Sequence, residues 1–168
     1  VLSHGLLLWR SLLQWVGGVG IIVMAISILP VLQVGGMQVF RTESSDNAEK
    51  ILPRTAQIAM AVIIIYVILT SLCAIAYWLF GMPFFDSIAH SMTTIATGGF
   101  STKNNSLAGF NSNSLEYVSC IFMILSSLPI LIYLEATRGG MRKLVSDTQI
   151  LTFFYIVLVS SLLVIIYL

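Results

Sequence analysis

The 168-residue chain is rich in apolar side chains and poor in charge: 58% of its residues are hydrophobic, 9% are charged, and its formal net charge is +1 at pH 7. This composition is typical of a membrane protein, and the few scattered basic residues exclude a nucleic-acid-binding surface. The two cysteines, Cys73 and Cys120, lie inside apolar runs without CxxC spacing, so we expect neither a disulfide framework nor redox chemistry.

Four apolar segments approach the roughly 20 residues that a helix needs to cross a hydrocarbon core of about 30 Å. They lie at residues 11–32, 56–80, 115–134 and 149–168. These segments predict an all-α, polytopic membrane protein. Because the chain begins at Val1 and ends inside the fourth segment, we interpret it as an excerpt of a longer protein.

A shorter apolar segment, residues 83–96, lies between the second and third spans and carries its polar side chains on one side: Asp86, His90 and Thr93 or Thr94. At about 1.5 Å per residue it reaches only about 21 Å, which is too short to cross the membrane. Non-helical backbone at membrane depth is tolerated only where it is buried in protein or lines a wet cavity. The segment and the sequence ATGGF at its end therefore predict a re-entrant pore helix followed by a pore-lining loop.

The loop sequence ATGGF suits the coordination of a cation. A cation that crosses a membrane must exchange its hydration shell for oxygen ligands, and backbone carbonyls provide them without burying a carboxylate. Gly98 and Gly99 can adopt φ values that other residues avoid, which allows successive carbonyls to face one axis. The C-terminal end of the short helix also directs partial negative charge toward the loop. The predicted ion ligands are the carbonyl oxygens of Ala96, Thr97, Gly98 and Gly99.

Two alternative interpretations concern this region. TGGF alone is compatible with a tight turn, although a turn outside the membrane does not require a half-length apolar helix before it. Asp86 and His90, four residues apart and next to serines, are compatible with the acid, base and nucleophile of an intramembrane hydrolase. One short helix supplies neither an oxyanion hole nor a separately positioned base, so we favour a structural role. In that role Asp86 interacts with the helix dipole and His90 holds the loop by a hydrogen bond.

The basic residues predict the orientation of the chain in the membrane. Six of them lie between spans one and two or between spans three and four, namely Arg41, Lys50, Arg54, Arg138, Arg142 and Lys143. The region 81–114 has only Lys103. The positive-inside rule therefore places loops 33–55 and 137–148 in the cytoplasm and region 81–114 at the outer face, from which the short helix enters. Arg10 then falls near the outer surface, where snorkelling accommodates its charge.

Three stretches resemble one family of membrane proteins. IAHSMTTIATGGFSTKNNSLAGFNS, residues 88–112, resembles the pore helix and selectivity filter of the second repeat in the Trk/Ktr/HKT family of potassium transporters, most closely the bacterial TrkH type. Residues 9–43 resemble that family's first-repeat inner helix and the cytoplasmic link after it. LPILIYLEATRGG, residues 128–140, resembles the end of the second-repeat inner helix. The resemblance covers nearly the whole chain.

The resemblance implies an ion-channel-like fold of four repeats, each with an outer helix, a pore helix, a filter loop and an inner helix, around one pore with pseudo-fourfold symmetry. On this pattern residues 1–55 hold the inner helix of a preceding repeat and its cytoplasmic link, residues 56–136 hold one complete repeat, and residues 137–168 hold a link and the next outer helix. Gly98 matches the family's filter glycine, so the chain would supply about one quarter of the filter.

The function that the resemblance implies is potassium uptake across the cell (inner) membrane, with potassium as the transported substrate and no enzymatic activity. It also implies a homodimer in the full-length protein and a cytoplasmic nucleotide-binding regulatory subunit, which would meet loops 33–55 and 137–148. The sequence has no nucleotide-binding loop or metal-ligand spacing, so we expect no directly bound cofactor. The alternative is a non-transporting membrane scaffold or a degenerate transporter remnant.

Overall fold

A computed structural model describes residues 2–32, 48–128, 133 and 148–167 of the chain. Within these ranges it consists of helices joined by short turns and loops. The α-helices are α1 (His4–Leu32), α2 (Ala48–Leu79), α3 (Phe84–Ile95), α4 (Asn113–Ser127) and α5 (Thr148–Tyr167), and a short 3₁₀ helix spans Ser106–Phe110. Val1–Ser127 form one compact unit, and Leu128–Leu168 belong to a second unit that contains α5.

The helices agree with the predicted apolar spans, with some differences at their ends. Among the described residues, three stretches are long and apolar enough to cross a membrane: His4–Ala25, Gln57–Leu79 and Ile150–Tyr167. The helix α1 begins seven residues before the predicted start at residue 11, because arginine is a good helix former and does not end a helix. The third predicted span, residues 115–134, begins within α4, and most of its residues beyond Leu128 lie outside the described residues, as do Arg41, Arg138, Arg142 and Lys143 in the predicted cytoplasmic loops.

One face of α2 packs against the other helices of the first unit. Its buried side chains follow a helical spacing of three and four residues, which is the period of a single helix face: Val62, Tyr66, Leu69, Cys73 and Tyr77. The neighbours of α2 are α1, α3 and α4. Its remaining surface exposes large apolar side chains such as Ile64, Ile68 and Leu72, as a membrane-spanning helix requires on its lipid side.

The short helix α3 lies among α1, α2 and α4 and is the most buried element of the unit. At about 1.5 Å per residue its 12 residues span about 18 Å, so it is too short to cross a hydrocarbon core. Its start is set by Pro83, which occupies the N-cap position, and by Gly81, which turns the chain at the end of α2 with a φ of +92°. Buried polar side chains line it: Asp86, Ser87, His90, Ser91, Thr93 and Thr94.

Candidate functional site

The loop of residues 96–99, called here the 96–99 loop, begins where α3 ends in a Schellman motif. The Thr97 amide donates to the Thr94 carbonyl at 3.0 Å, and the Gly98 amide donates to the Thr93 carbonyl at 2.9 Å. This pairing places Thr97 in the left-handed region with a φ of +52°. A left-handed conformation costs an L-residue about 1–2 kcal/mol, and glycine is the usual residue at this position. The loop therefore starts with a strained backbone.

The end of α2 provides a comparison, because it has the same Schellman motif with glycine at the left-handed position. The Met82 amide donates to the Tyr77 carbonyl at 3.0 Å and the Gly81 amide donates to the Trp78 carbonyl at 3.1 Å. The left-handed position there is occupied by Gly81, with a φ of +92°. The strain at the end of α3 thus results from the threonine and not from the turn itself.

The two glycines of the loop have different structural roles. Gly99 has a φ of +72°, as the sequence predicted, and a Cβ atom there would meet nothing within 4 Å. Gly98 is not in the left-handed region, so the prediction that its φ is special was wrong. Its lack of a side chain instead makes room for Gln14 of α1, because a Cβ atom would overlap the Gln14 carboxamide and lie 2.7 Å from Gln14 Cγ, so that Gln14 or the loop would have to move.

Hydrogen bonds fix the last turn of α3 to α2 and to the residue that follows the loop. The Thr93 hydroxyl lies 2.9 Å from the carbonyl of Phe100, at the far end of the loop, and 3.0 Å from the carbonyl of His90. The hydroxyls of Tyr77 and Thr94 form a buried hydrogen bond of 2.7 Å between α2 and α3. The last turn of α3 is therefore held on both sides, immediately before the 96–99 loop.

Asp86 and His90 hold the chain that leaves the loop. His90 Nδ1 lies 2.8 Å from the carbonyl of Asp86, which can only accept, so Nδ1 carries the proton. In the neutral ring Nε2 then accepts from the Ser101 hydroxyl at 2.9 Å. The Thr102 hydroxyl donates to Asp86 Oδ1 at 2.6 Å. Burial lowers the pKa of His90, which favours this neutral ring.

The serines next to these residues are engaged in the helix itself. The Ser87 hydroxyl donates to the Pro83 carbonyl at 3.0 Å, and the Ser91 hydroxyl donates to the Ile88 carbonyl at 2.9 Å. Neither hydroxyl is directed at His90 as a nucleophile would be. The geometry matches the structural role predicted for Asp86 and His90 and gives no support to a hydrolase.

The N-terminal part of α1 also contacts this region. The Arg10 guanidinium lies 4.5 Å from the centre of the Phe100 ring, a cation–π distance. The rings of His4 and Phe85 meet edge to face at 4.6 Å, so the first residues of α1 and α3 lie at the same end of the unit. Arg10 therefore has a specific partner next to the 96–99 loop in addition to the interfacial position that the sequence predicted.

Two polar groups behind the loop lack hydrogen-bond partners among the described residues: Gln14 Oε1 and the Tyr66 hydroxyl. A Cβ atom at Gly18 would lie 2.6 Å from the Tyr66 oxygen and 3.3 Å from Ala96 Cβ, so the Tyr66 hydroxyl and Ala96 both lie next to the surface of α1 that has no side chain. A buried unsatisfied polar group costs about 1–3 kcal/mol. Sequence reasoning did not identify Gln14 or Tyr66, whose only signal was a polar group within an apolar span.

Long apolar helices pack around a short buried helix, and this short helix ends in a strained, uncharged loop. These features define a polytopic membrane protein with a candidate ion pathway. The chain belongs to the TrkH family: the model of this family, described as a cation transport protein, matches residues 1–167. This confirms the resemblance inferred from the sequence and the expected all-α, polytopic membrane fold.

Individual relatives agree with the family assignment. The chain is 46% identical over 150 residues to the Trk system potassium uptake protein TrkI of Halomonas elongata, covering 89% of this chain and 30% of that protein. It is 48% identical over 129 residues to the Trk system potassium uptake protein TrkH of Escherichia coli K12, covering 74% of this chain and 26% of that protein.

A solved structure is similar in fold as well. The crystal structure of the potassium transporter TrkH from Vibrio parahaemolyticus matches with a TM-score of 0.77 and 37% sequence identity, covering 92% of this chain and 31% of that one. The chain therefore spans less than a third of the length of each of these three relatives. None of them is named as an enzyme.

Proposed function

We propose that the full-length protein takes up potassium across the cell inner membrane and that the 96–99 loop forms about one quarter of its selectivity filter. The carbonyl oxygens of Ala96, Thr97, Gly98 and Gly99 are the proposed ligands, and potassium is the transported substrate. The observation that carries this proposal is the position of the loop at the C-terminal end of a half-length, buried helix.

Three properties of the loop support cation binding. The end of α3 directs the partial negative charge of the helix dipole toward the loop, which favours cations over anions. The loop contains no charged side chain. Thr97 and Gly99 both have left-handed φ values, whereas Gly98 between them does not, so the backbone is not a continuous helix or strand there. An irregular backbone of this kind at membrane depth is expected where carbonyl groups line a pore.

The proposed organisation follows from the same placement. Residues 56–136 form one complete repeat, preceded by an inner helix within residues 1–55 and followed by an outer helix within residues 137–168. Loops 33–55 and 137–148 face the cytoplasm, and region 81–114 faces outward. The first residues of α1 and α3 lie at the same end of the unit. This position supports entry of both helices into the membrane from one side. The full-length protein is proposed to be a homodimer that binds a nucleotide-binding regulatory subunit through the two cytoplasmic loops.

The proposal is tested by expressing the full-length protein in bacterial cells that lack their own potassium uptake systems. We expect growth at limiting potassium and initial uptake of potassium in preference to sodium. Empty vector provides the background, and Gly109→Ala provides a matched control, since Gly109 lies in the 3₁₀ helix outside the 96–99 loop. Absence of potassium-dependent growth, with the protein present in the membrane at normal abundance, would favour the scaffold or degenerate remnant instead.

A further inference from the structure

Three features that lower the stability of the folded protein lie at or behind the 96–99 loop. Thr97 has a left-handed backbone, and Gln14 Oε1 and the Tyr66 hydroxyl are buried without hydrogen-bond partners among the described residues. The side chain of Tyr66 is only 4% exposed. Unsatisfied buried groups are rare in folded proteins, and strained backbone tends to persist at functional sites, where the surroundings over-determine it. Their convergence behind one loop therefore indicates a role for these two side chains in that loop's geometry.

The contacts show how each side chain reaches the loop. Gln14 fills the space that a side chain at Gly98 would occupy, so it supports the loop backbone from behind. The Tyr66 hydroxyl lies against Gly18, one turn further along α1, and Ala96 also lies next to Gly18. Gln14 thus contacts the loop directly, whereas Tyr66 contacts the part of α1 on which the loop packs.

Contacts between α1 and α2 hold these side chains in position. Trp15 Nε1 donates to the Thr70 hydroxyl at 2.9 Å, and the Thr70 hydroxyl lies 2.7 Å from the Tyr66 carbonyl. The rings of Trp15 and Tyr66 have centroids 5.3 Å apart. The Tyr66 ring is therefore fixed between α1 and its own helix, with little freedom to move its hydroxyl away from the loop.

We propose that Gln14 and Tyr66 are positioning residues for the 96–99 loop and determine the cation selectivity of the pore, Gln14 by contacting the loop at Gly98 and Tyr66 by contacting α1 at Gly18, next to which Ala96 also lies. This inference rests on the proposed function. Part of the control over the shape of one filter segment then comes from α1, the inner helix of the preceding repeat.

Tyr66→Phe separates positioning from packing, because it removes only the hydroxyl oxygen. If Tyr66 served packing alone, replacing an unsatisfied hydroxyl by hydrogen would leave the thermal stability unchanged or higher and leave transport unchanged. We expect unchanged or higher stability together with a several-fold fall in the ratio of potassium to sodium uptake by the full-length protein. Tyr117→Phe, on the exposed surface of α4, is the matched control and should change neither quantity.

Gln14 is tested by a pair of variants. Gln14→Ala removes the support behind Gly98 and should lower the potassium-to-sodium uptake ratio several-fold, whereas Gln14→Met preserves the length and unbranched shape of the side chain and should stay within about twofold of wild type. Both are measured at matched membrane abundance. Unchanged ratios in Tyr66→Phe and Gln14→Ala, or equal losses in Gln14→Ala and Gln14→Met, would overturn the inference while wild-type uptake still supports the proposed function. Absence of potassium uptake by wild type would reject the function itself.

Discussion

Substitution of Gly98 by alanine is the most direct test of how the 96–99 loop is built. The added Cβ atom would overlap the Gln14 carboxamide and lie 2.7 Å from its Cγ atom, which is closer than non-bonded carbon atoms approach. Either Gln14 must rotate away or the loop backbone must shift. Overpacking of this kind typically costs about 1–3 kcal/mol. If about 1.4 kcal/mol of this cost falls on potassium binding relative to sodium, the uptake ratio changes about tenfold.

A double-mutant cycle of Gly98→Ala with Gln14→Ala tests whether the overlap with Gln14 causes the change in selectivity. Removing the carboxamide makes room for the new methyl group, so the double variant should lose less selectivity than the two single variants added together. Contacting residues usually show coupling energies of about 0.5–3 kcal/mol, which corresponds to at least a twofold departure from additivity. The measurement is potassium and sodium uptake by the full-length protein at matched membrane abundance, together with growth at limiting potassium.

The control for this cycle is Gly109→Ala. A Cβ atom at Gly109 would lie 3.2 Å from Lys103 Cβ, so an exposed residue need move only slightly, and selectivity should be preserved. Simple additivity of Gly98→Ala and Gln14→Ala would refute the steric explanation. A Gly98→Ala variant with wild-type preference for potassium would remove Gly98 from the proposed filter.

Three further predictions concern the strain, the pH dependence and the topology. Thr97→Gly should raise the thermal stability by about 1 kcal/mol, because glycine adopts the left-handed φ without steric cost; a lower melting temperature would contradict the strain. Burial lowers the pKa of His90, so the stability it contributes is fully present above its ordinary pKa of about 6.5 and is lost as the pH falls through the folded value. Melting temperature should therefore fall on acidification, and His90→Gln should reduce that dependence; equal pH profiles for both proteins would exclude the mechanism. A membrane-impermeant thiol reagent should label a cysteine placed at Asn105 in intact cells but not one placed at Ser45, and the reverse pattern would overturn the orientation.

The sequence was sufficient to predict the apolar helices and the short helix between them. Hydropathy identifies a spanning helix because the bilayer requires about 20 apolar residues, and an apolar segment of about half that length between two spans, followed by a polar loop, favours a re-entrant helix. The ends were less accurate, as α1 shows. The predicted span begins at residue 11, whereas Arg10 lies within the helix and its guanidinium lies over the Phe100 ring.

The geometry around Gly98 could not be derived from the sequence. A glycine pair signals an unusual backbone, and local reasoning assigned positive φ to both residues. The structure has the left-handed conformations at Thr97 and Gly99, because the Schellman motif places the residue after the C-cap there. The space that a side chain at position 98 would need is occupied by Gln14, which is distant in sequence. Contacts between residues so far apart depend on how helices pack, which no periodicity in the sequence encodes.

The 96–99 loop therefore depends on three helices. Its local hydrogen bonds come from α3, a buried hydroxyl contact comes from Tyr77 of α2 at the end of α3, and the surface behind Gly98 comes from Gln14 of α1. A threonine in a left-handed conformation would relax if only its own turn held it, since the strain is local and glycine is absent there. The contact of Gln14 with Gly98 and the Tyr77–Thr94 hydrogen bond at the end of α3 surround that turn. In the proposed organisation α1 belongs to the preceding repeat, so the proposed filter segment would be shaped by two adjacent repeats and not by one.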